Sequence, residues 1–192
     1  MPFVANNLNW LARNSSLVFV GKLANQTSEK DNRDLIITRN VFDIERAIRG
    51  SYGRQQITLN TLGGTAGGVT MAVAEMPVFR RGLRYVVFTD PERTTYNPIT
   101  GNQAGVFIVG PDNAVYGYGG LVLTNVSDGI LQFGERTLKD ALGPNARAAG
   151  HPGEPKGTMI GVAPARPGDV SVVTLDQFVR VIEAIPQGRA NP

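Results

Sequence analysis

The residues that could do chemistry in this 192-residue chain are few, and their spacing does not suit it. The only histidine, His151, sits in His151-Pro152-Gly153-Glu154-Pro155, a composition typical of a surface loop. A nucleophile needs a general base held beside it. No G-x-S-x-G or H-E-x-x-H pattern supplies that pairing. Asp43 and Glu45 fall on one face of a predicted strand. Paired carboxylates hydrolyse a glycosidic bond only when they flank it, and these two, close to Arg46 and Arg49, read as a solvated face. Asp31, Asp34, Asp90 and Glu92 lie in or beside polar loops where a weak Ca²⁺ could sit, but nothing has the spacing of an EF-hand. The chain has no cysteine, which removes disulfides and thiolate metal sites. The residues thus predict no catalytic group, no metal ligand and no cofactor, and the chain reads as a non-enzyme.

Two groups remain as binding candidates. Gly63-Gly64-Thr65-Ala66-Gly67-Gly68 offers successive backbone N–H groups that could form an anion nest. A phosphate loop leads into a helix and carries a lysine. Here an apolar strand follows and no lysine is present, so the glycines read first as a tight corner with positive φ. Tyr116 and Tyr118, with Phe133 and the glycines around them, could form a flat contact surface. The competing reading packs them against the sheet. Gly63, Gly64, Gly67, Gly68, Tyr116 and Tyr118 are the candidate binding residues.

The elements that must position them are mainly strands. Charged residues make up only 18% and there are 23 glycines, a balance that favours a turn-rich β protein. Asn6 or Asn7 caps a short helix over Leu8–Leu11. Strands are predicted at Leu17–Ala24, Asp34–Ile48, Gln55–Thr61, Val69–Ala74, Leu83–Thr89 and Ala104–Val109, with a hairpin-like segment over Asn113–Leu123. Asn25–Arg33 reads as a polar hairpin loop. In the long second strand Ile36, Thr38, Asn40, Phe42 and Ile44 share a face. Both of its registers carry apolar residues, which predicts a bend or bulge. Thr174-Leu175-Asp176-Gln177 is a capping box opening a helix whose apolar stripe is Leu175, Phe178, Val179, Ile182 and Ile185. The predicted organisation is a β domain over 1–125, a Gly/Pro/Ala-rich extended segment over 126–170, and a strand and helix over 171–192 that pack back on the first unit.

Several of these residues occur in an order that resembles a group of poorly characterised exported bacterial proteins. They are Val41-Phe42-Asp43-Ile44-Glu45-Arg46-Ala47-Ile48-Arg49-Gly50, then Gly63-Gly64 and Gly67-Gly68, then Pro77-x-Phe79-x-x-Gly82, Tyr85-Val86-Val87-Phe88 and Gln103-Ala104-Gly105-Val106-Phe107-x-Val109. Those proteins look like the netrin/TIMP-like OB-fold, the barrel of the tissue inhibitors of metalloproteinases. The resemblance covers residues 6–110 and 174–185. It implies a small antiparallel OB-like barrel with a short N-terminal and a C-terminal helix, and an exported protein whose signal peptide has been removed. The inhibitors chelate a protease zinc through an N-terminal cysteine, which this chain lacks, so that mechanism does not carry over. The segment Asn113–Asp169 lies outside the resemblance.

These readings set the functional expectations. The formal charge of +3 is small and its basic side chains are scattered, which argues against nucleic acid as a partner. No run is long enough for a transmembrane helix. The chain is expected to act through protein–protein contact, with a protein partner or by self-association. The alternative is a protease-inhibitor-like or ligand-binding barrel that uses the glycine-rich loop as its edge.

Overall fold

A computed structural model describes residues 7–93, 96–143 and 171–187. Three helices and ten strands are found among them. In chain order they are α1 (Leu8–Arg13), β1 (Leu17–Lys30), β2 (Ile36–Arg49), β3 (Gln56–Leu62), β4 (Gly64–Ala66), β5 (Val69–Met71) and β6 (Arg84–Thr89). A 3₁₀ turn over Asn102–Gly105 precedes β7 (Val106–Val109), β8 (Val115–Gly117), β9 (Leu121–Ser127), β10 (Ile130–Thr137), α2 (Leu138–Leu142) and α3 (Leu175–Ala184). Eight strands form one antiparallel sheet in the order β10-β9-β8-β7-β6-β1-β2-β3, and β4 and β5 form a separate hairpin. The fold is therefore mainly β with a few short helices. Among the described residues the sheet is not closed, and β10 and β3 are its two edges.

Strict alternation along the central strands splits the core in two. Val18, Val20, Val86, Phe88, Phe107 and Val109 face α1 and α3, together with Leu8, Leu11, Phe178 and Ile182. Leu17, Phe19, Tyr85, Val87, Val106 and Ile108 face the opposite side. Burial on both faces is why β6 reads as an unbroken apolar run, with no polar alternation to mark a solvent side. On that second side Phe79 closes an aromatic cluster. Phe42 meets Phe19, Phe79 and Tyr85 edge-on, with ring centroids 4.9–6.1 Å apart. Each such ring contributes about 1.5–3 kcal/mol through burial alone.

β1 organises the sheet. It pairs with β6 without a slip from Leu17–Thr89 to Lys22–Arg84. Against β2 it slips three times, near Val18, Val20 and Leu23, so the two long strands bend together as the mixed registers predicted. Asn25–Lys30 continues β1 and is not the expected hairpin loop. Its polar side chains follow no apolar period, and the turn begins only at Asp31, whose carboxylate accepts from the N–H groups of Arg33 and Leu35.

The expected boundary at residue 126 also moves. Asp128 and Gly129, both at positive φ (51° and 80°), form a two-residue hairpin between Ser127 and Ile130. Residues up to Gly143 therefore belong with the sheet, and 144–170, with His151, lie outside the described residues. At the other end the expected strand is a short extended strap. Val173 bonds both Val115 and Leu123, and Ala114 bridges Thr174. α3 carries the predicted capping box, in which Thr174 and Gln177 exchange hydrogen bonds with each other's backbone. Its C-terminal end is held by Arg49, which donates to the carbonyls of Ile185 (2.7 Å) and Pro186 (3.1 Å). Asn7 caps α1.

Candidate functional site: an open sheet edge and its cleft

The tyrosines singled out as a contact surface do not form one. Tyr116 and Tyr118 are buried in the second core, and this corrects the surface reading in favour of packing. β8 is three residues long, lies between β7 and β9, and is buried at every position. The Tyr116 hydroxyl donates to Asp112 at 2.9 Å, and burial with that carboxylate pushes its pKa up to about 12. Tyr118 accepts from the Val78 N–H (2.9 Å) and Tyr85 from the Arg80 N–H (2.8 Å). Both hydroxyls thus pin the Val78–Arg80 corner. Burial is the main force raising the Tyr85 pKa as well.

The four glycines have two jobs, both structural. Gly67 and Gly68, at φ 58° and 78°, make the two-residue turn between β4 and β5. Gly63 and Gly64 bring the hairpin close over the sheet. A Cβ on Gly64 would stand 2.2 Å from the Thr38 hydroxyl and 2.5 Å from that of Ser28. Thr38 itself donates to the Gly63 carbonyl at 2.5 Å. This contact closes a buried polar layer. The Asn40 amide donates to the Leu59 carbonyl and the Thr61 hydroxyl, both at 3.0 Å, and accepts from Gln26 at 2.8 Å. Every polar atom of that buried Asn side chain is satisfied, which makes the layer a rigid support for β3.

The carboxylates weighed for chemistry have local partners. Glu45 makes a bidentate pair with Arg84, and Asp43 accepts from Gln56 at 2.7 Å. Asp90 accepts from Ser16 at 2.9 Å. Among the described residues no group of His, Asp or Glu side chains has the arrangement of a metal site, and no helix is long and apolar enough to cross a membrane.

What the structure brings together is a stretch that the sequence reading left as scaffold. β3 has β2 on one side and, among the described residues, no strand on the other. Gly63 donates to Ile36, and the Gln55 carbonyl accepts from Ile44, so the odd-numbered residues point their backbone groups at β2. Alternation turns Gln56, Thr58, Asn60 and Leu62 outward. Leu62 donates to the Tyr96 carbonyl (3.0 Å), which stops the edge there. Beside this edge lies a cleft of about 340 Å³, floored by Ile37, Arg39, Thr58 and Asn60 and walled by Pro91 and Tyr96. Glu29 and Arg39 pair across it at 2.7 Å.

Tyr96 fixes the wall at two points. Its carbonyl holds Leu62, and its hydroxyl donates to Asp31 at 2.8 Å. Desolvation opposes ionisation of Asp31. The Arg33 N–H, the Tyr96 hydroxyl and the Leu35 N–H outweigh it, and the carboxyl is held below its ordinary value. The same bond, with some desolvation, raises the Tyr96 pKa. Sequence reasoning missed Tyr96 because it lies in a polar, proline-flanked loop with no periodicity. It missed Glu29, and with it the partner of Arg39, because the polar half of β1 was not seen as a strand.

No family model, curated protein or solved structure matches this chain.

Proposed function

We propose that this protein is a non-catalytic binding module that acts through protein–protein contact at the outer edge of β3. The observation that carries the reading is the edge itself. Gln56–Leu62 pairs with β2 through seven consecutive positions without a bulge, and it contains no charge and no proline. Natural sheets blunt an exposed edge with charges, prolines or bulges unless the edge is used. A strand added here would gain backbone hydrogen bonds from Thr58 and Asn60 and lay alternate side chains beside the cleft.

The finer fold assignment, a partly open OB-like barrel of the netrin/TIMP kind, and export from the cell belong to this same reading. They rest on the motif resemblance, together with the central place of β1 between β2 and β6. The glycine-rich loop gives less support to an inhibitory or ligand-binding edge, because Gly64 packs against the Thr38–Ser28 pair and Gly63 against Met71.

Selection of a displayed random peptide library against the wild-type protein tests the contact. The expected result is a set of extended peptides that lose binding to Thr58→Pro, a change that removes one outward N–H and leaves the β2 ladder intact. Binders indifferent to that change, or an absence of binders, would overturn it.

A further inference from the structure

The outward edge of β3 is chemically symmetric about Thr58. Reading Gln56-Ile57-Thr58-Leu59-Asn60 in either direction gives an amide, an aliphatic, a threonine, an aliphatic and an amide. Gln56, Thr58 and Asn60 are exposed, whereas Ile57 and Leu59 are buried on the inner face. A strand that must pair with any partner has no need of this symmetry. A strand that pairs antiparallel with itself across a two-fold axis sets residue i against residue j and j against i, so it must be self-complementary, and this sequence sets matched, uncharged side chains against each other.

We infer that β3 docks against β3 of a second copy, with Thr58 on the two-fold axis; this rests on the reading of β3 as the contact edge. In this register Thr58 faces the partner's Thr58, Asn60 faces the partner's Gln56, and Ile57 faces the partner's Leu59. Hydroxyl meets hydroxyl and amide meets amide on the exposed face, while Ile57 and Leu59 stay buried in their own cores. Opposed threonines are favourable cross-strand neighbours, and no like charges meet. All three outward residues exchange backbone hydrogen bonds with the partner.

Two alternative registers fail on the same observations. Centring on Leu59 sets Ile57 against Thr61 and brings the partner's Gln56 opposite Leu62. Centring on Asn60 brings Thr58 opposite Leu62. In both cases the outward N–H of Leu62 is already held by the Tyr96 carbonyl. With Thr58 at the centre, Leu62 faces the partner's Arg54, which precedes β3, so the ladder ends where Tyr96 stands. The joined sheets would form one continuous sixteen-stranded antiparallel surface, and the two clefts would lie on either side of the axis.

The absence of cysteine makes the test direct. Opposed residues in a hydrogen-bonded antiparallel pair have Cα atoms about 5.5 Å apart, within reach of a disulfide. Thr58→Cys should therefore cross-link to a homodimer under mild oxidation. Asn60→Cys alone should not, because its own copies lie about four residues apart, roughly 13 Å. A mixture of Asn60→Cys and Gln56→Cys should cross-link.

A second pair of variants reads the same contact without oxidation. Thr58→Lys and Thr58→Glu should each be monomeric by light scattering at concentrations where the wild type is dimeric, and their mixture should regain the dimer mass. That recovery also shows that both variants fold. A wild type that stays monomeric with no Thr58→Cys cross-link, or Asn60→Cys cross-linking alone as well as Thr58→Cys does, would overturn the inference. Failure of these tests while library peptides still bind the edge removes the second copy and keeps the contact reading. Failure of both removes both.

Discussion

The two ends of the sheet treat their exposed backbone in opposite ways. β10 slips twice against β9, near Phe133, and carries Glu135 and Arg136. Arg136 is drawn to Asp112, and the start of the strand is covered where Leu8 bonds Gly129 and Asn7 bridges Ile130. β3 has none of these features. It is straight in register, uncharged, and braced from behind by Phe42 and the Asn40 layer. One edge is arranged so that another strand finds little to add to. The other keeps an unbroken register, and the loop carrying Pro91 and Tyr96 lies beside it, with Tyr96 closing one end. A fold that spends such different sequence on two equivalent positions implies that they have different uses.

The largest effect is expected from behind β3. Phe42 lies opposite Ile57 and touches three other rings of the second core. Phe42→Ala should cost about 3–5 kcal/mol in chemical denaturation. Hydrogen exchange in the variant should rise first in β3 and least in β10, whose core contacts lie on the other face with Leu131. A loss below about 1 kcal/mol, or equal loosening at both ends, would show that β3 does not depend on this support.

A smaller effect is expected at the Tyr96 stop. The depressed pKa of Asp31 means that its bonds stabilise the folded loop fully above the ordinary aspartate value of 3.8. That contribution is lost as pH falls through the lower folded value. Tyr96→Phe should therefore move the Asp31 titration, followed by NMR, upward toward 3.8 and should leave the loop less protected above it. An unchanged titration would mean that the Arg33 and Leu35 N–H groups alone set this carboxylate.

Much of the frame was legible in the residues. Period-two alternation located β2, β3 and β7, a continuous apolar run located β6, and Thr174–Gln177 and Asn7 announced α3 and α1. The bend of β2 followed from apolar residues in both registers. Three things were hidden, each for a physical reason. The polar half of β1 has no apolar period, because its inner side chains, Gln26 and Ser28, take part in a buried hydrogen-bond layer rather than a hydrophobic one. The β9–β10 hairpin was signalled by Asp128-Gly129, but its strands carry glycine and mixed polar residues, so composition pointed to a loop. Tyr116 and Tyr118 looked like a surface because glycines surround them. Gly117 is instead the space into which Phe133 packs, with its ring 2.8 Å from where a Cβ would stand. The candidate edge could be recognised only once pairing showed that β3 is last in the sheet.

The most direct measurement is residue-resolved amide exchange along β3 as protein concentration rises. In dilute protein, Thr58 and Asn60 should exchange rapidly while Leu59 and Thr61, bonded to β2, stay protected. As the protein associates, Thr58 and Asn60 should slow and the other two should not change. Thr58 and Asn60 amides that are as protected as their neighbours in dilute protein, or that stay fast at every concentration and with every selected peptide, would contradict the claim that this edge is the contact surface.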